Sequence, residues 1–158
     1  MAVTVFESVE ALAAAAPGTV LGRSGWKDIT QERVDLFAEA TGDHQWIHVD
    51  PVRAATGPFG TTIAHGYLTL ALAVPLVAEI LDVRGAVMAL NYGTNRVRFP
   101  APLPVGTRVR LAARLMGVEQ GAGWVQVVLE LVFEAEGQDK PVCVAETVYR
   151  FYTMNDER

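Results

Sequence analysis

Between Tyr67 and Ala78 the chain is apolar at every position except Thr69. A helix with no polar face has to be enclosed on most sides. With Pro75 inside it, the stretch falls short of the roughly 20 residues that cross a bilayer, so it reads as a buried helix running from about Gly66 to Leu81. Whatever else the chain does, it must wrap this segment.

The wrapping is legible from Val87 onward, where the apolar period changes from 3.6 to 2. Val109, Leu111, Ala113 and Leu115 alternate with Arg108, Arg110 and Arg114, and Val125, Val127, Leu129, Leu131 and Phe133 alternate with Gln126, Glu130 and Glu134. Such alternation marks half-buried antiparallel strands. Turn chemistry separates them at Pro100–Gly106, Gly117–Gly123 and Gly137–Pro141, and a last strand runs from Val142 to Tyr152. One apolar helix lying in the concave face of a curled antiparallel sheet is the economical α+β packing, with residues 1–158 expected to form a single domain.

The first half of the chain reads as helical. Thr4-x-x-Glu7 has the form of a capping box opening a short Ala-rich helix that Pro17-Gly18 stops. Thr30 caps a second helix, with Val34, Phe37, Ala38 and Thr41 on its apolar face and Gly42 as its left-handed stop. Asp50-Pro51 opens another, ended by Gly57-Pro58.

Charge and cysteine content narrow the function. The 158 residues carry 13 Lys and Arg against 18 Asp and Glu, a net charge of −5. That excludes a general nucleic-acid binder, whose affinity comes mostly from neutralising phosphates. No membrane partner is expected either. Cys143 is the only cysteine, which removes an internal disulfide and makes a reducing, cytoplasmic compartment the default. Its strand parity puts it with Ala145, Tyr149 and Phe151 as a small buried hydrophobe. Met1 to Gly18 lacks the basic residues of a secretory signal.

The densest group of titratable side chains is Thr41-Gly-Asp-His-Gln-Trp-Ile-His-Val-Asp-Pro51. Asp43 follows a helix stop and His48 precedes a helix cap, so both belong to a loop pinned at its two ends. A carboxylate and an imidazole converging on one water suit proton transfer near neutrality. The other reading is that Asp43 ties down the loop and His48 is a satisfied, half-buried ring. His44-x-x-x-His48 has zinc-like spacing, but Gln45 stands where H-E-x-x-H requires glutamate, and no metal site is expected. His44 is expected to face solvent. At the entry to the buried helix, Ile63-Ala-His-Gly-Tyr67 places Gly66 among free N–H groups, where an oxyanion could be held. A glycine needed only for close packing is the alternative.

Gly42-Asp-His-Gln-Trp-Ile-His48 followed by Ala64-His-Gly66, with Asn91-Tyr-Gly-Thr-Asn-Arg-Val-Arg-Phe-Pro-Ala-Pro-Leu-Pro-Val-Gly106 beyond, closely resembles the MaoC-like (R)-specific enoyl-CoA hydratase family, hydratase 2, in a short single-domain form. The resemblance covers essentially the whole chain. It departs from the family's G-D-x-N-P-(aliphatic)-H at Gln45-Trp46, which bears on the acyl pocket and leaves Asp43 and His48 untouched.

The resemblance implies a hot-dog fold and reversible syn addition of water to a trans-2-enoyl-CoA, giving the (R)-3-hydroxyacyl-CoA. Asp43 and His48 would hold the water and move its proton, and the Gly66 N–H would meet the thioester oxygen. No cofactor is implied, CoA being part of the substrate. Trp46 and Tyr67 join the expected substrate-binding residues. Strand parity puts Asn91 and Asn95 inward with Val97 and Phe99, unless Gly93 carries a bulge, so that they bond the active-site loop, line the substrate tunnel, or bond nearby backbone. Arg96 and Arg98 point outward, with Arg108, Arg110 and Arg114, and would meet the CoA phosphates or simply be solvated. Two other functions share the fold: an acyl-CoA thioesterase, for which the central helix offers only Glu79, and a non-catalytic acyl-CoA-binding subunit of a dehydratase. An open flank of the sheet is expected to be closed in a homodimer.

Overall fold

The computed structural model describes residues 3–153. Its elements run β1 (Thr4–Phe6), α1 (Val9–Ala13), β2 (Val20–Arg23), β3 (Lys27–Asp28), α2 (Gln31–Thr41), α3 (Trp46–Val49), α4 (Pro51–Ala55), α5 (Gly66–Ala71), α6 (Ala73–Ala78), β4 (Leu81–Val83), β5 (Met88–Arg98), β6 (Arg108–Gly121), β7 (Trp124–Ala135) and β8 (Cys143–Tyr152). The main sheet is antiparallel in the order β2-β6-β7-β8-β5, with β3 also on β6. β7 alternates half-buried and buried residues along its whole length. Its inner side chains, Val127, Leu129, Leu131 and Phe133, are fully buried.

The apolar segment lies against this inner face: α6 packs on β6 and α5 on β8, with Leu76 and Ile80 at 0% exposure. It is two helices rather than the single one expected. Pro75 has no N–H for the carbonyl of Ala71 and its ring crowds that carbonyl, so the helix breaks at Leu72.

The amino terminus also differs from expectation. Thr4 does not cap a helix; its hydroxyl donates to the Leu21 carbonyl at 2.8 Å, and Thr4–Phe6 pairs in parallel with β4. Ser8 is the cap, its Oγ accepting from the Ala11 N–H at 3.1 Å. Gly117 is not a turn either. The β6 strand passes it with a register shift and continues to Gly121, leaving the reversal to Ala122 and Gly123, the latter at φ 75°.

In α2 the local signals act as read. The Thr30 hydroxyl accepts from the Arg33 N–H, and Gly42 takes φ 77°, where a Cβ would clash with its own backbone. The next segments are fixed by backbone bonds. The Ile63 N–H donates to the Ile47 carbonyl at 3.0 Å, Ala64 N–H to Leu103 at 2.8 Å, and Val105 N–H to Thr62 at 2.9 Å. Thr62–Ala64 is thereby held between α3 and the Leu103–Val105 loop, which delivers the start of α5 to the side of α3.

Among the described residues no helix is long and apolar enough to cross a membrane.

Candidate active site

The segment between α2 and α4 holds a single helical turn, α3, where an irregular loop was expected. The Asp50 carboxylate caps α4 by accepting from the Arg53 N–H at 3.0 Å, which fixes the exit of α3 and with it His48. The His48 ring is 7% exposed. Its Nδ1–H donates to the Ile63 carbonyl at 2.7 Å; a carbonyl only accepts, so this nitrogen carries the hydrogen and Nε2 keeps the lone pair. Burial is the main influence on this imidazole and holds its pKa below the ordinary histidine value. His48 is therefore a neutral acceptor at pH 7.

Gln31 braces the same residue from the first turn of α2. Its Nε2 donates to the His48 carbonyl at 2.8 Å, and its Oε1 accepts from the Thr62 hydroxyl at 2.6 Å. Asp43 follows Gly42 with its side chain 55% exposed. Its Oδ1 accepts a long 3.4 Å bond from the Gln45 N–H, and its carbonyl accepts from His65 Nε2 at 2.9 Å. Asp43, His48 and His65 each offer a polar side-chain atom within 4.8 Å of the others. These are the residues that could hold a divalent metal, although one nitrogen of each histidine is already engaged by a backbone carbonyl. His44 takes no part: it is exposed, with Nε2 3.7 Å from Glu39.

Beside this group lies a cavity of ≈ 350 Å³ lined by His48, Phe59, Ile63, Gly66, Thr69 and Phe99, among others. That size suits a small-molecule site. Gly66 opens α5, where the first N–H groups have no acceptor within the helix. The Phe99 ring approaches so closely that a Cβ on Gly66 would lie 3.0 Å from it. The close-packing reading of Gly66 is thus met by the Phe99 ring, and the residue also lies in the cavity wall at the start of α5.

The MaoC-like domain model matches residues 13–136, most of the chain. The chain belongs to the MaoC-like family. It is 60% identical over 147 residues to a protein of Mycobacterium tuberculosis named 3-hydroxyacyl-thioester dehydratase Z, covering 92% of this chain and 97% of that one. Among solved structures it is similar to a monoamine oxidase regulatory protein from Archaeoglobus, with TM-score 0.75 and 19% identity over 98% of this chain and 99% of that one. An (R)-hydratase from A. caviae involved in PHA biosynthesis matches with TM-score 0.69 and 24% identity over 86% and 96%. The MaoC-like chain has the hot-dog fold.

Of the expected site residues of this MaoC-like chain, His48 and Gly66 line the cavity; Asp43 stands next to it, within reach of His48 but outside its wall, and the others lie farther apart. Trp46 does not line it; the indole packs on Gly57, where a Cβ would lie 3.0 Å away, and takes the Arg53 guanidinium on its face at 4.3 Å. Tyr67 is 73% exposed and stands edge-on to Phe99 at 6.3 Å. Asn91 faces inward, opposite Tyr149, but is exposed, as is most of β5 among the described residues. Asn95 falls in a second bulge, between Thr94 and Arg96, that parity could not foresee. Neither amide is in the core.

Arg96 and Arg98 lie on the outer face of β5 beside a ≈ 300 Å³ hollow shared with Glu130 and Glu146. Neither forms an ion pair among the described residues. Arg108 and Arg110, by contrast, are matched to Glu136 and Glu134 across the sheet, so two of the five arginines of the expected basic stretch are neutralised. Glu79 is occupied as well, accepting from the Gly25 N–H at 2.9 Å and pairing with Lys27 at 2.6 Å. Burial pushes the Cys143 thiol up to about 12, so it is no nucleophile.

Sequence reading missed His65, Gln31 and Phe99. His65 had one signal, its place between Ala64 and Gly66. Gln31 had none, because its partners lie on α3 and in the segment before α5.

Proposed function

We propose that this chain is a hydro-lyase that reversibly hydrates a trans-2-enoyl-CoA to the (R)-3-hydroxyacyl-CoA. The observation that carries the reading is the 60% identity, over nearly the full length of both chains, to a 3-hydroxyacyl-thioester dehydratase. The cavity gives it a chemical rationale. A water held between the Asp43 carboxylate and the bare Nε2 of His48 adds its oxygen to C3 of the alkene. Negative charge then builds on the thioester oxygen, where the Gly66 N–H stands, so that this donor acts mainly in the transition state. The water's remaining proton passes to C2, with Asp43 as the exchanging group and His48 as the orienter. In the dehydration direction the same groups remove the C2 proton and release the water.

Hydrolysis at the carbonyl is disfavoured, because Glu79 is committed to Gly25 and Lys27. The unpaired Arg96 and Arg98 are proposed to meet CoA phosphates, and a second copy of the chain to cover β5. Crotonyl-CoA separates the alternatives: loss of the conjugated thioester without free thiol supports hydration, whereas free thiol supports a thioesterase and no change a binding subunit. Asp43→Asn and His48→Ala should remain folded and lose at least about 100-fold in hydration, on the scale of losing one catalytic proton-transfer group. Near-native rates in both variants would overturn the site assignment.

A further inference from the structure

His65 is 2% exposed, does not line the cavity and has no step in the chemistry above. It stands at the N-cap of α5, a position that favours short side chains able to bond the first helical turn. The His65 side chain makes no such bond. It turns back across 22 residues instead, and Nε2 donates to the Asp43 carbonyl at 2.9 Å. The ring is stacked on His48 at 3.8 Å between centroids and 26° between planes, and tilted against Phe37 of α2 at 5.0 Å. One side chain therefore touches the backbone of the carboxylate residue and the ring face of the imidazole.

Among the described residues, nothing else fastens Asp43 as firmly. Its N–H donates to Thr41 Oγ1 at 3.4 Å, and its carboxylate accepts from Gln45 at the same length. The arrangement also carries a cost, since Nδ1 of His65 is buried with no hydrogen-bond partner among the described residues, and a buried polar atom without a hydrogen bond destabilises a fold. An apolar ring would pack there without that penalty. The Nε2 bond is what an apolar ring could not supply.

We infer that His65 is a positioning residue, holding Asp43 in register with His48 through the bond from Nε2 to the Asp43 carbonyl. The inference rests on Asp43 and His48 being the water-activating pair. His65→Phe keeps the ring, its burial and its stacking and removes the donor. His65→Gln places an amide nitrogen near the position of Nε2, and His65→Asn has an amide too short to reach it. Hydration of crotonyl-CoA is followed for each variant, with the folded fraction measured by circular dichroism.

Misplacing a reacting group by about 1 Å costs about 100-fold. The expectation is therefore a kcat for His65→Phe lower by about 10- to 100-fold with KM within about 2-fold of the parent, and a kcat for His65→Gln closer to the parent than that of His65→Phe or His65→Asn. A native kcat in folded His65→Phe, an effect confined to KM, or a Gln variant no better than Asn would overturn the inference. Asp43→Asn and His48→Gln are run alongside. If they keep near-native rates, the pair itself is misassigned and the inference falls with it; if they are inactive while His65→Phe is not impaired, the role of His65 alone is refuted.

Discussion

His48 receives its chemical direction from atoms that sequence spacing does not reveal. The carbonyl of Ile63 fixes the hydrogen on Nδ1 and leaves Nε2 as the acceptor; burial lowers the imidazole pKa from 6.5. The unfolded chain therefore binds a proton at His48 that the folded chain refuses. The associated stability is full above pH 6.5 and is lost as pH falls from 6.5 toward the lowered folded value. In the proposed role of His48, the same shift extends its proton-accepting form to lower pH. The acid limb of kcat/KM that reports His48 should lie below pH 6.5 and should disappear in His48→Gln, leaving whatever Asp43 contributes; a limb at or above 6.5 in the parent would contradict the neutral, buried imidazole. Asp43 and His48 were legible as a candidate pair because two helix signals, Gly42 and Asp50, bracket them. His65 was not, since its partner lies 22 residues away.

At the scale of elements, local chemistry that satisfies its own backbone was readable, and chemistry settled by distant partners was not. Thr30, Gly42 and Asp50 act within four residues of themselves, and α2 and α4 begin or end where they dictate. Thr4 could have capped a helix, but it found the Leu21 carbonyl and a parallel partner strand instead. Pro75 was visible, yet an apolar run alone does not tell whether a helix absorbs a proline or breaks, as this one does at Leu72. The Asp50 cap offers a test of how far a terminus supports the site. Asp50→Ala removes the bond to the Arg53 N–H, a loss of about 1 kcal/mol, which for a domain of this size lowers Tm by roughly 2–4 °C. Since α3 exits into that cap, thermal denaturation should show this drop together with a fall in kcat; a variant with unchanged Tm would mean that the cap is replaced by solvent at no cost.

For the whole molecule, the feature that stands out is the exposed apolar flank of the main sheet at β5. β5 pairs with β8 on one side only, and on it Met88, Leu90 and Tyr92 are 46%, 42% and 56% exposed, close in sequence to Val87 at 58%. Tyr67 and Val74 on α5 and α6 are also exposed. An unpaired edge carrying this much apolar surface invites association, and a two-fold partner presenting the same face closes it without leaving a new edge. Asn91 fits the same picture: parity turned it inward, opposite the buried Tyr149, and it is exposed on the inner side of this edge strand. Leu90 and Tyr92 lie on the outer side of this edge, Leu90 opposite Arg150 and Tyr92 under the Arg150 guanidinium at 3.6 Å, and Leu90→Lys with Tyr92→Lys places two like charges on each copy, four along the shared edge. The parent should elute as a dimer by size-exclusion chromatography with light scattering and the double variant as a monomer that retains its far-ultraviolet circular dichroism. Because Phe99 and the start of α5 border both this face and the cavity, the monomer should also hydrate crotonyl-CoA more slowly. A parent that is monomeric at assay concentration and fully active would show that one copy closes its own site.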